Sequence, residues 1–557
     1  MQVEAYPPIE DYALIGDCHT AALVSRHGSI DWCCLPRFDS GSCFGRLLDW
    51  ELGGHCTIAP TGEPEDVHRA YVDDTLVLAT TFRVAAGEAR VIDCFTMRRG
   101  GAQDPHRIAI GGDVDLEPGE HDLRSTVTVR GGERLRLSLI YARPETIDPE
   151  PLEAPSPEEL DRRLDTTLRW WRTFARGCQT EGPDAAGVLR SALVVKALTH
   201  APTGALVAAP TTSLPEVPGG SANWDYRYSW IRDSVLSVRA LAELGREAEA
   251  DGFRRFVARS AAGHAEDLQI VYGVGGERRL VELELEELEG WRGARPVRVG
   301  NAAARQLQLD APGEILNQTW RWCERGHTPD DDHWLFLADL VELAIARWRE
   351  PDRGLWESRG RPRHFVHSKA MCWSAVDRGL RVAEAGMRRV PVRRWRRARR
   401  EIARAIEERG FDRRRGVFVQ AFGSRRLDAA LLMLPVTGLV EWDDPRMVAT
   451  TDAVREELEE DGLLMRYRQD GRRKDGHEGA FLACSFWLAE CLARQGRREE
   501  AREVYDRAYA TANDVGLFSE ERDVNTGAML GNFPQGLTHL SHIAAAVALQ
   551  HTPTEEK

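Results

Sequence analysis

The sequence has no CxxC spacing among its eleven cysteines, no uncharged apolar run near 18 residues and no excess of basic charge. The first absence, with an odd number of cysteines scattered from Cys18 to Cys491, speaks against a zinc site or a disulfide framework and for reduced thiols. The second leaves no segment suited to cross a bilayer as a helix. The third, a formal net charge of −14, argues against nucleic acid or an anionic membrane as partner and says little about a neutral one. The N-terminal MQVEAYPPIEDYALIG puts acids and prolines where a secretory signal needs basic and then apolar residues, so a cytoplasmic location is expected. A nucleotide loop is missing as well: Gly273-Val274-Gly275-Gly276 lacks the GxGxxG spacing, and no βαβ unit surrounds it.

What is present is a chain of 557 residues, too long for one core, so two or more domains are expected. Residues 1–150 read as an antiparallel β-sandwich. Ala21–Val24 and Ile30–Cys34 flank the turn His27-Gly28-Ser29, and Leu76–Val84 and Ala89–Met97 flank Ala86-Gly87-Glu88. Val127 and Val129, then Leu135, Leu137 and Leu139, alternate with polar residues on either side of Gly131-Gly132, a hairpin signal. The span 104–120 is polar and Gly/Pro-punctuated, carries no clear strand signal and is assigned to no element. Residues 151–180 read as a helical linker, opened by the capping box Ser156…Glu159 and continued by Leu160, Leu164, Leu168 and Trp171.

Residues 181–557 read as about twelve helical segments, from 184–200 to 536–549. The arginine-rich one near 388–404 has Val, Trp, Ile and Ala interspersed and reads as a solvated outer helix. Six antiparallel pairs can close into a double ring of inner and outer helices, and every second loop then opens at the same end. A single active site should draw its residues from those loops.

Four stretches there carry chemistry. Asn223-Trp224-Asp225-Tyr226-Arg227-Tyr228-Ser229-Trp230-Ile231-Arg232-Asp233 interleaves charges with aromatics, which suits a neutral polyol. Gly354-Leu355-Trp356-Glu357-Ser358-Arg359-Gly360 sets a carboxyl beside an indole, an apolar wall of the kind that raises a carboxyl pKa; alone, it reads sooner as a tryptophan anchoring a loop on the core. Lys474-Asp475-Gly476-His477-Glu478-Gly479 and Gly516-Leu517-Phe518-Ser519-Glu520-Glu521-Arg522-Asp523 add further acids, and each also fits a solvated charge run. Two separated carboxylates at one end of a cavity are the components of glycoside hydrolysis. A phosphorylase would lack the second carboxylate, and a non-catalytic sugar-binding protein would lose one of the two. His364 and His367 have metal-ligand spacing, but beside Ser368-Lys369 they read as hydrogen-bonding groups, and no metal site is expected.

These stretches, with IEDYALIGDCHTAALVSRHGSIDWCCLPRFDS, NWDYRYSWIRDS, DLQIVYGVGGERRL, HFVHSKAMCW, EGAFLACSFWLAECLARQGR and GLFSEERDVNTGAMLGNFPQGLTHLSHI, run nearly end to end, and the chain resembles glycoside hydrolase family 15, the glucoamylase and bacterial trehalase family. The resemblance implies a multidomain protein, an N-terminal antiparallel β-sandwich followed by an all-α (α/α)6 barrel. It implies an inverting, exo-acting hydrolase of α-glucosidic bonds that releases β-D-glucose and needs no cofactor for its chemistry. It casts Glu357 as general acid, Glu520 as general base with Glu521 as the fallback, and Arg232 and Asp233 as the grip on the non-reducing glucose. Trp224, Asp225, Tyr228, Trp356, His477 and Glu478 are the other expected substrate contacts. Similarity to the cytosolic actinobacterial-type branch makes trehalose the first substrate expected, with maltooligosaccharides the alternative. The expected partner is an α-glucoside alone, with no nucleic acid and no membrane. No pattern speaks for or against a dependence on phosphate or Mg²⁺, or for one oligomeric state. The basic stretch 470–477 departs from the family pattern before EGAF.

Overall fold

The apolar runs at the N-terminus become antiparallel ladders. β1 (Tyr12–Gly16), β2 (Ala21–Ser25), β3 (Ser29–Cys34) and β4 (Ser42–Phe44) pair in that order, with β5 (Cys56–Thr57) on β3. β6 (Asp66–Tyr71), β7 (Leu78–Val84) and β8 (Gly87–Asp93) form a second antiparallel sheet. The Tyr71 hydroxyl joins the two, donating to the Leu14 carbonyl at 2.7 Å. The β2–β3 turn requires its glycine: Gly28 has φ +76°, and a Cβ there would lie 2.4 Å from the Ile58 carbonyl oxygen. The computed structural model describes residues 5–97, 106–142, 154–261, 264–468 and 478–551.

The hairpin expected around Gly131-Gly132 does not form a ladder. Instead His106–Gly112, inside the span that carried no strand signal, pairs with Leu137–Ala142. Val127 and Val129 are about half exposed, so their alternation has no apolar surface to bury against.

Helix α1 (Pro157–Arg176) starts where the capping box places it, the Glu159 amide donating to Ser156 Oγ at 3.3 Å. It buries Thr167, Trp171, Phe174 and Ala175 along one stripe. The chain separates into two compact units, Met1–Pro7 with Asp11–Gly177 and Pro8–Glu10 with Cys178–Lys557, so α1 belongs to the first.

The second unit holds α2 (Ala185–Ala197), α3 (Ile231–Glu243), α4 (Glu247–Ser260), α5 (Ala311–Glu324), α6 (Asp331–Arg347), α7 (Val366–Ala385), α8 (Val392–Arg409), α9 (Leu434–Thr437, after a 3₁₀ turn Ala429–Met433), α10 (Pro445–Leu458), α11 (Leu482–Arg494), α12 (Arg498–Tyr509) and α13 (Gly536–His551). α3, α5, α7, α9 with its 3₁₀ turn, α11 and α13 touch one after another, and α13 packs back on α3. The other six lie outside them, which makes an (α/α)6 barrel. Burial follows the two rings. Inner α11 buries every residue from Leu482 to Ala493. Outer α8 buries only Trp395, Ala398, Ile402 and Ile406, and its arginine-rich remainder lies outside that stripe. Inner-to-outer connections such as Leu244–Arg246 and Gln495–Arg497 are short, whereas the outer-to-inner ones are long and gather at one end. All four chemistry-bearing stretches of the sequence belong to the long ones.

Candidate active site

Arg232 enters in the first turn of α3 and organises one side. Its guanidinium donates to both Asp233 carboxylate oxygens at 3.2 and 3.1 Å, to the Leu355 carbonyl at 2.7 Å and to Glu357 Oε1 at 2.9 Å. Gln308 adds a second donor to Glu357 Oε1 at 3.3 Å, and Gln306 bonds the Glu357 carbonyl at 3.2 Å. Glu357 itself stands at φ +46°, a left-handed conformation that costs a residue with a Cβ about 1–3 kcal/mol. The surrounding bonds hold that strain, so the carboxyl is aimed before any substrate arrives. Burial raises the Glu357 pKa, and Arg232 opposes the rise. That balance suits a group that must carry a proton yet release it.

The other side is built on a small three-stranded sheet of Ala480–Phe481, Glu521–Arg522 and Met529–Leu530. Glu520 precedes its central strand. The Tyr226 hydroxyl donates to Glu520 Oε1 at 2.8 Å, while Oε2 is buried with no hydrogen-bond partner. Gly531, at φ +75°, makes room for it: a Cβ there would lie 2.5 Å from Oε2. Burial raises the Glu520 pKa, the neighbouring Glu216 adds to the rise, and Arg466 opposes it. Glu521 differs. Its Oε2 accepts the Gly479 amide at 2.9 Å and its Oε1 lies 3.1 Å from Arg466, so it is committed to the frame. Arg466 Nη2 also meets Glu216 and Glu478 at 2.8 Å each. Those three glutamates are the one group among the described residues whose oxygens are close enough together for a metal ion, and the Arg466 guanidinium supplies positive charge among them. A cavity of about 600 Å³, its open mouth included, lies between α3, α5 and α9 towards the short-loop end; it is lined by Arg239, Glu314 and Trp322 among others, and by neither Glu357 nor Glu520.

Several expected contacts have partners inside the protein. Asp225 is buried in a two-bond pair with Arg227, at 2.8 and 2.7 Å, and accepts the Gly300 amide at 3.1 Å. Tyr228 accepts the same amide at 3.2 Å. Both are thereby spent on internal partners rather than held for a ligand, and Glu478 is likewise tied to Arg466. Trp224, another expected substrate contact, carries two guanidiniums over its ring: Arg359 at 4.0 Å and Arg298 at 4.6 Å from the centroid. Trp356 is half-buried, donates to Asp428 at 2.9 Å and stacks on Trp487 at 5.8 Å. His367 is buried, and its pKa is lowered to about 4 by burial. His477 lies outside the described residues. Residue patterns did not single out Tyr226, Glu216, Gln308, Asp428 or Arg466; only Tyr226 lies in a stretch already marked by its aromatics.

A ring of paired helices that presents one glutamate held by a guanidinium and another with a free oxygen places the protein among the (α/α)6 glycoside hydrolases. The chain belongs to glycosyl hydrolases family 15, whose sequence profile matches residues 182–547, and a trehalase-like N-terminal profile matches residues 1–107. A trehalase of Mycolicibacterium smegmatis is 38% identical over 97% of this chain and 91% of its own. A trehalase of Thermoplasma volcanium is 34% identical over 98% of this chain and 94% of its own. Among solved structures, a bacterial glucoamylase complexed with acarbose aligns with a TM-score of 0.70 at 12% identity, covering 98% of this chain and 95% of that one, which shows the shared fold.

Proposed function

We propose that the protein is an inverting, exo-acting α-glucosidase whose substrate is α,α-trehalose. The observation that carries the chemistry is the unequal state of two glutamates: Glu357 is held by Arg232 at 2.9 Å, and Glu520 keeps one buried oxygen without a partner. Protonated Glu357 donates to the glycosidic oxygen as the bond from that oxygen to C1 breaks. Ionised Glu520 takes a proton from water, whose oxygen bonds to C1 from the opposite face. The attacked glucose leaves as the β anomer. The leaving glucose keeps its own C1–O bond and departs as the α anomer. Glu357 ends ionised and Glu520 protonated, and proton exchange with solvent resets both.

Arg232 and Asp233 hold the hydroxyls of the attacked glucose, and Trp356 lends the acid its apolar neighbour. Glu521, with Oε2 on the Gly479 amide and Oε1 ion-paired with Arg466 at 3.1 Å, supports the frame and is the weaker choice of base. Trehalose as the substrate is supported by the two trehalases, which align over nearly the whole chain, and by the trehalase-like N-terminal match. The chemistry uses no cofactor. Incubation of purified protein with trehalose, maltose, isomaltose and maltotriose tests the assignment: glucose should appear with the highest kcat/KM from trehalose. Higher kcat/KM on maltotriose would reassign it to glucoamylase-type hydrolysis, and no glucose from any of the four would leave a sugar-binding protein.

A further inference from the structure

Arg359 stands two residues after Glu357, on the same turn, and its side chain is 48% exposed. It is nonetheless held in place. Its Cζ lies 4.0 Å from the Trp224 ring centroid, and Nη2 donates to Glu282 Oε2 at 2.7 Å. Glu282 accepts the Ala302 amide at 3.1 Å and lies 3.8 Å from Arg298 Nε. Arg298 in turn covers Trp224 and donates to the carbonyls of Ser221 and Asn223 at 2.9 and 3.0 Å. The Trp224 carbonyl accepts from Asn532 at 2.9 Å, next to the Gly531 that abuts Glu520. Trp224 thus links the turn of one glutamate to the loop of the other.

A guanidinium has five N–H donors in a fixed fork. Among the described residues, Arg359 donates a hydrogen bond to Glu282 alone, so most of its fork is unspent in a side chain that is half exposed. Side-chain exposure rises from 1% at Asp233 through 16% at Arg232 and 24% at Glu357 to 48% at Arg359, so Arg359 is the most open to solvent of the four. The acid meets the bond between the two sugars, so donors outward of it face the departing one.

We propose that Arg359, set by Trp224 and Glu282, binds hydroxyls of the leaving glucose and determines which leaving group the enzyme accepts. The inference rests on the α-glucosidase reading above. It makes Trp224 a platform for a guanidinium rather than a sugar-stacking surface. It also gives the hairpin Leu283–Leu285 with Val297–Val299, which follows Glu282 and carries Arg298, a part in specificity.

The test compares trehalose with α-D-glucopyranosyl fluoride, whose leaving group has no hydroxyl to bind. Arg359→Ala should lower kcat/KM on trehalose about 30- to 100-fold, mainly through KM, and change kcat/KM on the fluoride less than about threefold. Glu282→Gln, which loosens the guanidinium without removing it, should shift both in the same sense by a smaller factor. An equal loss on both substrates, or an unchanged kcat/KM on trehalose, overturns the inference while leaving the hydrolase assignment standing. A wild-type protein active on the fluoride but idle on trehalose overturns the trehalose reading and this inference with it.

Discussion

Tyr226 reaches across from the loop before α3 and donates to Oε1 of Glu520 at 2.8 Å, while the other oxygen of the same carboxyl is left bare. The bond holds the carboxylate by one end and leaves the other for water. Tyr226→Phe should lower kcat about 10- to 100-fold, the worth of a hydrogen bond to a charged group. Because that bond favours the ionised form, its loss should also move the acidic limb of the kcat/KM profile to higher pH. Unchanged turnover in the variant would make Tyr226 a bystander.

Glu216 works in the opposite direction. Its charge helps raise the Glu520 pKa, which burial already raises. Glu216→Gln removes a negative neighbour, makes ionisation of Glu520 easier and should shift the acidic limb to lower pH. Glu216, Glu520 and Glu521 share the Arg466 field, so the limb reports the group rather than one residue. A pH–rate profile identical to the wild type would show that Glu216 does not act on the base.

Choosing between adjacent glutamates requires a pair of variants. With Glu520 as the proposed base, Glu520→Gln should lower kcat about a thousandfold or more with folding retained. Glu521→Gln disturbs the Gly479 amide and Arg466 contacts and should cost mainly stability. The reverse pattern, turnover lost in Glu521→Gln and kept in Glu520→Gln, would move the base by one position.

Gly531 offers a test that leaves every carboxyl in place. Its φ is +75°, and a Cβ there would meet Glu520 Oε2 at 2.5 Å. Gly531→Ala should destabilise by about 1–2 kcal/mol from backbone strain, and it should depress kcat more than tenfold by crowding the free oxygen. Thermal unfolding and turnover measured together separate the two effects.

At the core of the barrel, Arg239 of α3 pairs with Glu490 of α11, both almost fully buried. Burial alone would raise the Glu490 pKa, but Arg239 and Arg494 outweigh it and hold it at about 2. A pKa below the ordinary value means stability that is complete above about pH 4.5 and is lost as pH falls towards 2. Arg239→Met should destabilise by about 3–5 kcal/mol by leaving a buried charge poorly compensated. Its unfolding free energy should also fall less steeply than the wild type between pH 4.5 and 2.

Much of this was legible in the chain because it is local. The inner and outer helices each carry their own periodicity, as Trp395, Ala398, Ile402 and Ile406 do on α8. The turn that bears Glu357 and the aromatic run before Arg232 are continuous motifs. What was not legible is convergence. Glu216 and Arg466 meet at 2.8 Å across 250 positions, and neither sits in a pattern that marks it. The strand His106–Gly112 was hidden in a polar span whose partner, Leu137–Ala142, looked like half of a local hairpin. Aromatic content flagged Trp224, but only the structure shows that two guanidiniums already cover its ring.

Glu357 and Glu520 are proposed to hydrolyse trehalose with inversion. Proton NMR of the first products, recorded faster than mutarotation, tests this most directly. Inversion predicts β- and α-glucose in equal initial amounts, one from each half of the disaccharide. Initial release of α-glucose alone would mean retention and contradict the account.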